Sequence, residues 1–407
     1  MEKFNSFITE QKNTHMTHIE DKVIYGGVNG TRQAIMALRD LRDMLGGVHK
    51  GSVSVKWDGA PAVFAGTDPT DGRFFVAKKG IFNKNPKVYK TAKEVDADTS
   101  GDLADKLKAA LRYFPSLGIT GVVQGDLLFT NDLKTETIQG HKYTTFHPNT
   151  IIYAVPYESP EAAVIRKAKI GVVWHTTYTG NTFESMKASY GVDVSKFKKS
   201  STVWSQDAML RDLTNVTMSV SDTEEVNEYL RKAGEIFNKI AGTTLRQLQA
   251  SPELSQSIET YNNSFVRRGE IPGNSKAHAS GLIGHIKAKW QKEIDKLKST
   301  KGKESKSKSR DEQISFFSNE NIASLIMIFE LQKVIVLAKL KLINNLNRLQ
   351  KIDTFVKTRD GFKVTGAEGF VAIDRLGSDA VKIVDRMEFS YNNFSAEIVK
   401  GWDKPGR

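Results

Sequence analysis

The sequence contains no cysteine, which excludes disulfides, zinc–thiolate sites and thiol catalysis. It also lacks a clean membrane span. Its most apolar run, residues 323–338, is interrupted by Glu330 and Lys333 and reads as a buried helix. The opening Met1-Glu2-Lys3-Phe4-Asn5 carries no apolar signal-peptide core. A soluble cytoplasmic protein with no membrane partner is therefore expected. No internal repeat is visible. The glycine-rich turn at residues 26–31 lacks the lysine and spacing of a P-loop and reads as a capped turn. His15 and His18 have no evident third partner, so they read as surface histidines rather than a metal site.

What is present is basic. The chain has 407 residues, 39% of them hydrophobic, with 59 Lys and Arg against 47 Asp and Glu and a net charge of +12. That length suits two or three domains with a real core. The charge favours a polyanionic partner, most simply nucleic acid.

The most informative segment is Ser52-Val53-Ser54-Val55-Lys56-Trp57-Asp58-Gly59. It alternates like a strand and ends at a lysine beside an Asp-Gly turn. A lysine fixed in this way is a candidate covalent nucleophile. Three further segments follow in order. Residues 73–80 form a strand pattern ending in Lys78 and Lys79. Residues 121–129 are apolar except for Asp126, beside a glycine, and Gln124. Residues 367–373 and 380–386 read as a hairpin whose strands carry Glu368 and Lys382. A lone charge on an apolar strand is costly unless it is paired or used. A salt bridge between Glu368 and Lys382 is one reading. The other is a nucleotidyl-transfer site, in which Lys56 attacks an α-phosphorus, Lys78, Lys79 and Lys382 neutralise phosphate, and Asp126 and Glu368 hold metal or ribose.

This order resembles the covalent nucleotidyltransferase superfamily of ATP-dependent DNA ligases, RNA ligases and mRNA capping enzymes. Lys56–Gly59 matches its Lys-x-Asp-Gly motif. Gln124-Gly125-Asp126-Leu127-Leu128 is similar to its third motif, Glu368-Gly369-Phe370-Val371 to its fourth, and Val381-Lys382-Ile383-Val384 to its fifth. The chain also resembles an uncharacterised family from large tailed bacteriophages, through its opening Asn13–Asp21. The superfamily resemblance implies a lysyl-AMP adduct on Lys56, with Asp58 and Lys382 in the catalytic set. It implies ATP binding by Lys56, Gly59, Lys78, Lys79, Asp126, Glu368 and Lys382, and Mg2+ at Asp126 and Glu368. An aromatic ring stacks on adenine in that family. Trp174 and Tyr153 are the candidates here, each of which also fits a packed core. Neighbouring His175 reads as a core residue. Departures are Pro61 where the family often has arginine, and a single fifth-motif lysine.

The implied fold is α+β: a nucleotidyltransferase domain of mixed and antiparallel sheets at 51–204 and 355–407, and no C-terminal OB domain. Residues 1–50 read as an N-terminal helical segment, with Thr31 capping a helix that Gly46-Gly47 stops. Residues 205–354 read as a helical insertion that contains a flexible basic linker at 298–310. The implied activity is ATP-dependent polynucleotide ligation, on RNA rather than DNA, joining 5′-phosphate to 3′-hydroxyl ends in the cytoplasm of an infected bacterial host. Deleting the insertion is expected to abolish joining while sparing adenylylation of Lys56. The alternatives are capping-type guanylyl transfer and a non-catalytic nucleic-acid-binding or virion-associated protein on the same fold.

Overall fold

The computed structural model describes residues 17–48, 52–209, 218–318, 321–373 and 380–402. It is a mixed α+β protein with mainly antiparallel sheets. His15 and the first four residues of the Asn13–Asp21 opening, 13–16, lie outside the described residues.

Three sheets are present. A small one has the order β1 (Ser52–Lys56), β13 (Gly369–Ile373), β14 (Ala380–Ile383), antiparallel throughout. A second runs β10 (Val203–Asp207), β8 (Ile170–Thr179), β4 (Val122–Phe129), β2 (Ala62–Thr67), β3 (Phe74–Ala77), with β9 (Lys187–Tyr190) beside β8. The third runs β12 (Gly361–Val364), β11 (Asp353–Thr358), β7 (Ile151–Pro156), β6 (His141–Phe146), β5 (Lys134–Ile138), with β15 (Ile398–Val399) beside β11. The second sheet buries one face against helix Gly101–Tyr113 through Val123, Leu127, Val172 and Trp174. Leu128, Phe129 and Val173 pack instead with Phe146, Tyr153 and Val155 of the third sheet. The two-residue period of a strand makes this division, and a break in the β4–β8 register between Leu127 and Phe129 lets the adjacent Leu128 and Phe129 share one side.

The small sheet belongs to a different core. Val53, Val55, Phe370, Val381 and Ile383 share one apolar cluster with Leu38 and Leu41 of helix Gly27–Leu45 and with Leu331 and Ile335 of helix Ile322–Asn347. Residues 17–48 and 218–347 therefore form one helical body with the small sheet against it. This redraws the expected organisation, in which the N-terminal segment and the helical region stood apart. Thr31 lies inside its helix and does not cap it: its hydroxyl donates to the Gly27 carbonyl at 2.8 Å. The helix starts four residues earlier, at Gly27 with φ +58°.

The linker expected at 298–310 is also helical. Ser299 caps helix Thr300–Phe317 by accepting from the Gly302 N–H at 3.2 Å. Buried Gln313 and Phe317 fix its inner face. It pairs with helix Ser275–Asp295, where Trp290 donates to Gln313 at 3.0 Å and Arg310 to Gln291 at 3.2 Å. Serine and lysine gave it no apolar stripe in the sequence, and tertiary contacts supply the stability that its propensity does not.

A buried ionic cluster closes the seam between the helices and the small sheet. The Lys339 ammonium donates to both Glu20 oxygens at 2.8 and 2.9 Å, and both residues are almost fully buried. Arg386, just beyond β14, donates to Asp21 at 2.9 Å and to Glu20 at 3.3 Å. Burial alone would raise the Glu20 pKa, but Lys339 and Arg386 outweigh it and hold the group at about 2. His18 is half-buried and bridged to Lys382 through the backbone, and burial pulls its pKa down to about 3.

Candidate active site

Lys56 is the last residue of β1 and pairs in register with Gly369 of β13. In β1 and β14, Val53, Val55, Val381 and Ile383 face the helices. Strand alternation therefore turns Lys56 and Lys382 to the opposite side of the small sheet. Glu368, directly before β13, forms an ion pair with the Lys56 ammonium. The proposed Glu368–Lys382 bridge is thus replaced by Glu368–Lys56. Gly369 has φ +157°, and a Cβ there would sit 2.3 Å from Val384. Only glycine lets β13 close on β14 and bring Glu368 to Lys56.

Asp126 arrives from the second sheet. A Cβ on Gly59 would lie 2.6 Å from the Asp126 Cβ and 2.8 Å from the Leu127 carbonyl. The Ala60 N–H donates to that same carbonyl at 2.9 Å. Gly59 therefore serves as the point where the turn after Lys56 rests on β4. This local contact is what its lack of a side chain provides here.

Asp58 engages the start of β7 through its carboxylate. One carboxylate oxygen accepts from the Thr150 and Ile151 N–H groups at 2.7 and 2.8 Å, and the other from the Asn149 amide at 2.6 Å. Its own N–H donates to the Tyr153 hydroxyl at 2.6 Å. Trp57 lies 4.8 Å from the Tyr153 ring. Asp58 is thus a positioning residue that clamps the turn to the start of β7. Burial outweighs those hydrogen bonds and raises its pKa.

The electrostatics of the cluster are distinctive. Burial pushes Asp126 up to about 7 against the pull of Lys56, with Asp58 adding to the rise. Burial likewise pushes Glu368 up to about 7 although Lys56 opposes it. Lys382 is shifted down by burial and by the charge of Lys56. Two carboxyls poised near neutrality beside two amines are the environment in which acid–base and phosphate chemistry is tuned.

Other expected residues fall elsewhere. Trp174 is fully buried against Phe114 and Phe197 and donates to Ser205 at 3.0 Å, so it offers no face to a base. Tyr153 is buried as well. The next residue on β8 faces the other way. His175 lies 3.8 Å from Asp126, and burial and Lys56 lower its pKa to about 4. It was expected in the core, although alternation from an apolar Trp174 would have turned it toward the site. Lys78 is engaged by Asp98 at 3.0 Å, which also binds Lys87 at 2.6 Å. Lys79 is exposed and is the one of that pair whose charge bears on Asp126. Asn149, His18, Glu20 and Arg386 had no signal in the sequence, because each acts through a partner distant along the chain.

Among the described residues no group of three or more His, Asp or Glu side chains is placed to hold a metal ion. Two carboxylates, Asp126 and Glu368, converge at Lys56, and Asp126 accepts no side-chain hydrogen bond among the described residues. Mg2+ takes one or two carboxylates together with substrate phosphates, so this pair fits such an ion without a complete protein cage. No single helix among the described residues is long and apolar enough to cross a membrane.

No curated protein and no solved structure matches the chain. Residues 13–398 match a family described as "Family of unknown function (DUF6267)", and the chain belongs to that family.

Proposed function

We propose that this protein is an ATP-dependent polynucleotide ligase, of the RNA-ligase type implied by the sequence resemblance, working through a lysyl-AMP intermediate on Lys56. One observation carries the reading. Lys56 forms an ion pair with Glu368, and its charge acts on both Asp126 and Lys382, although the four residues come from separate segments and two sheets.

In the proposed cycle the Lys56 amine gives up its proton to Glu368 and attacks the α-phosphorus. A P–N bond forms as the α–β phosphoanhydride P–O bond breaks, and pyrophosphate leaves. The adenylyl group then passes to a 5′-phosphate: a phosphoanhydride forms, the P–N bond breaks, and Lys56 regains a proton. Attack by a 3′-hydroxyl forms the phosphodiester and expels AMP. Lys382 and Lys79 supply positive charge to phosphate oxygens. Asp126, with Glu368 joining it whenever Glu368 is unprotonated, would hold Mg2+, and the ion would supply charge neutralisation at the phosphates.

The test is incubation with α-labelled ATP and Mg2+, then denaturing electrophoresis, beside Lys56→Ala and Lys56→Arg. A label that survives denaturation in wild type and is absent from both variants is expected. Folded wild-type protein that takes no label from ATP or GTP would overturn the proposal.

A further inference from the structure

The helical pair built from Ser275–Asp295 and Thr300–Phe317 carries an unusual share of the charge. Residues 287–310 hold ten lysines and arginines against three acidic residues, a net +7 in a chain whose total is +12. Lys287, Lys289, Lys292, Lys298, Lys301 and Lys303 are all exposed and make no ion pair among the described residues. Their neighbours hold the scaffold rigid. Lys306 lies 5.0 Å over the Trp290 ring, and Arg310 reaches Gln291 across the pair. The six free lysines thus stand on fixed helices and not on a loose tether.

Aromatic content selects among nucleic acids. The only aromatic residue in 287–310 is Trp290, half-buried beneath Lys306. Single-strand binders use exposed rings on which bases stack, and this surface presents none. It presents mainly cations, which suits the regular phosphate array of a duplex. The base of the pair adjoins the ionic seam behind the small sheet. Ser275 and His278 line the same cavity, of about 90 Å³, as Asp385 and Arg386, which follow Lys382 closely in the chain. At 1.5 Å per residue, Lys287 to Lys296 lie roughly 14–27 Å along the helix from His278.

We propose that this helical hairpin is the duplex-binding arm of the protein, gripping the phosphate backbone without regard to sequence. The inference deepens the polynucleotide part of the functional reading and does not require the lysyl adduct.

The test is fluorescence anisotropy with a labelled 24-base-pair duplex from 50 to 300 mM salt. The full chain is compared with a variant in which those six lysines become glutamine. A control removes equal charge away from the helical pair, at Lys93, Lys167, Lys169, Lys187, Lys196 and Lys199. Each phosphate contact contributes about 0.9 to the slope of log K against log salt. With about half of the six in contact, the hairpin variant loses about 3 from that slope and at least tenfold in affinity at 100 mM salt. The control keeps the wild-type slope to within about 1. Circular dichroism verifies that the hairpin variant remains helical. Should it lose helix, a variant in which only Lys289, Lys298 and Lys301 are replaced is expected to show about half the effect. Equal losses in hairpin and control variants would overturn the proposal, as would tighter wild-type binding to single strands or to anionic lipid vesicles than to duplex. Label transfer to Lys56 is read separately, so failure of either idea leaves the other standing.

Discussion

Asp58 separates positioning from chemistry, and two substitutions at that residue make the separation measurable. Its carboxylate is the acceptor for two buried backbone N–H groups, those of Thr150 and Ile151, and for the Asn149 amide. Asp58→Ala strands both N–H groups. At about 1–3 kcal/mol for each orphaned donor, the loss should be about 4 kcal/mol. Asp58→Asn keeps an oxygen in the position that accepts from both. Its new amide nitrogen would face Asn149, whose own side-chain oxygen is buried without a partner. Rotating the Asn149 amide by half a turn lets that oxygen accept, and the number of unpaired atoms does not change. Burial already disfavours the Asp58 charge, so the exchange should cost about 1 kcal/mol or less. Urea unfolding followed by tryptophan fluorescence suits the comparison, because Trp57 lies in the same corner. If Asp58→Ala proves no less stable than Asp58→Asn, the clamp does not hold the turn. If Asp58→Asn is as stable as wild type yet takes no label while wild type does, the carboxylate acts in the chemistry and the positioning assignment fails.

Two further substitutions probe the site. Asp126 has a folded pKa of about 7 against 3.8 for the free group, so the folded state holds the extra proton between those values and stability falls as pH rises from about 4 to about 7. Asp126→Asn removes that fall. With the carboxyl partly reached by solvent, it should stabilise the ligand-free protein by about 2 kcal/mol at pH 8 and not at all below pH 4, while abolishing label transfer. Melting curves that run parallel to wild type from pH 4 to pH 8 would refute the burial argument. Gly59→Ala places a methyl 2.6 Å from the Asp126 Cβ and 2.8 Å from a carbonyl oxygen. It should cost about 2–3 kcal/mol and impair label transfer by moving Asp126 from Lys56. An unchanged melting temperature would mean that the turn does not rest on β4.

Local signals made much of this legible. β1 ends at Lys56 as its alternation implied, and the Glu368 and Lys382 strands pair as the expected hairpin. Helix Pro160–Lys167 begins beyond a Ser159 cap, and helix Ser275–Asp295 beyond an Asn274 cap, both readable from residue type. What failed was anything decided by a partner remote in sequence. Asp58 entered the catalytic set through the resemblance, and the N–H groups that hold its carboxylate are about ninety residues away. Trp174 and His175 were assigned to the wrong faces because β8 packs two different cores, and apolarity alone does not say which core a tryptophan enters. Glu20, buried and acidic, fell within what read as an N-terminal helical segment; only Lys339 and Arg386 explain its place.

The same remoteness changes how the helical region must be tested. An insertion grafted on a finished catalytic domain could be removed, sparing label transfer. Here the small sheet that carries Lys56 and Lys382 buries its inner face in the helical core, where Val55 and Phe370 share a cluster with Leu331 and Ile335. Glu20, Lys339 and Arg386 lock the seam, and removing one member of a buried ionic set costs about 3–5 kcal/mol because its partners stay charged and unpaired. Deleting residues 218–347 would therefore uncover that inner face and leave Glu20 without Lys339, unmaking the site it was meant to spare. Loss of label transfer in such a deletion would carry no information about substrate grip. Charge removal at the exposed hairpin lysines touches neither the core nor the ionic seam, so it is the perturbation that separates holding the polynucleotide from building the site.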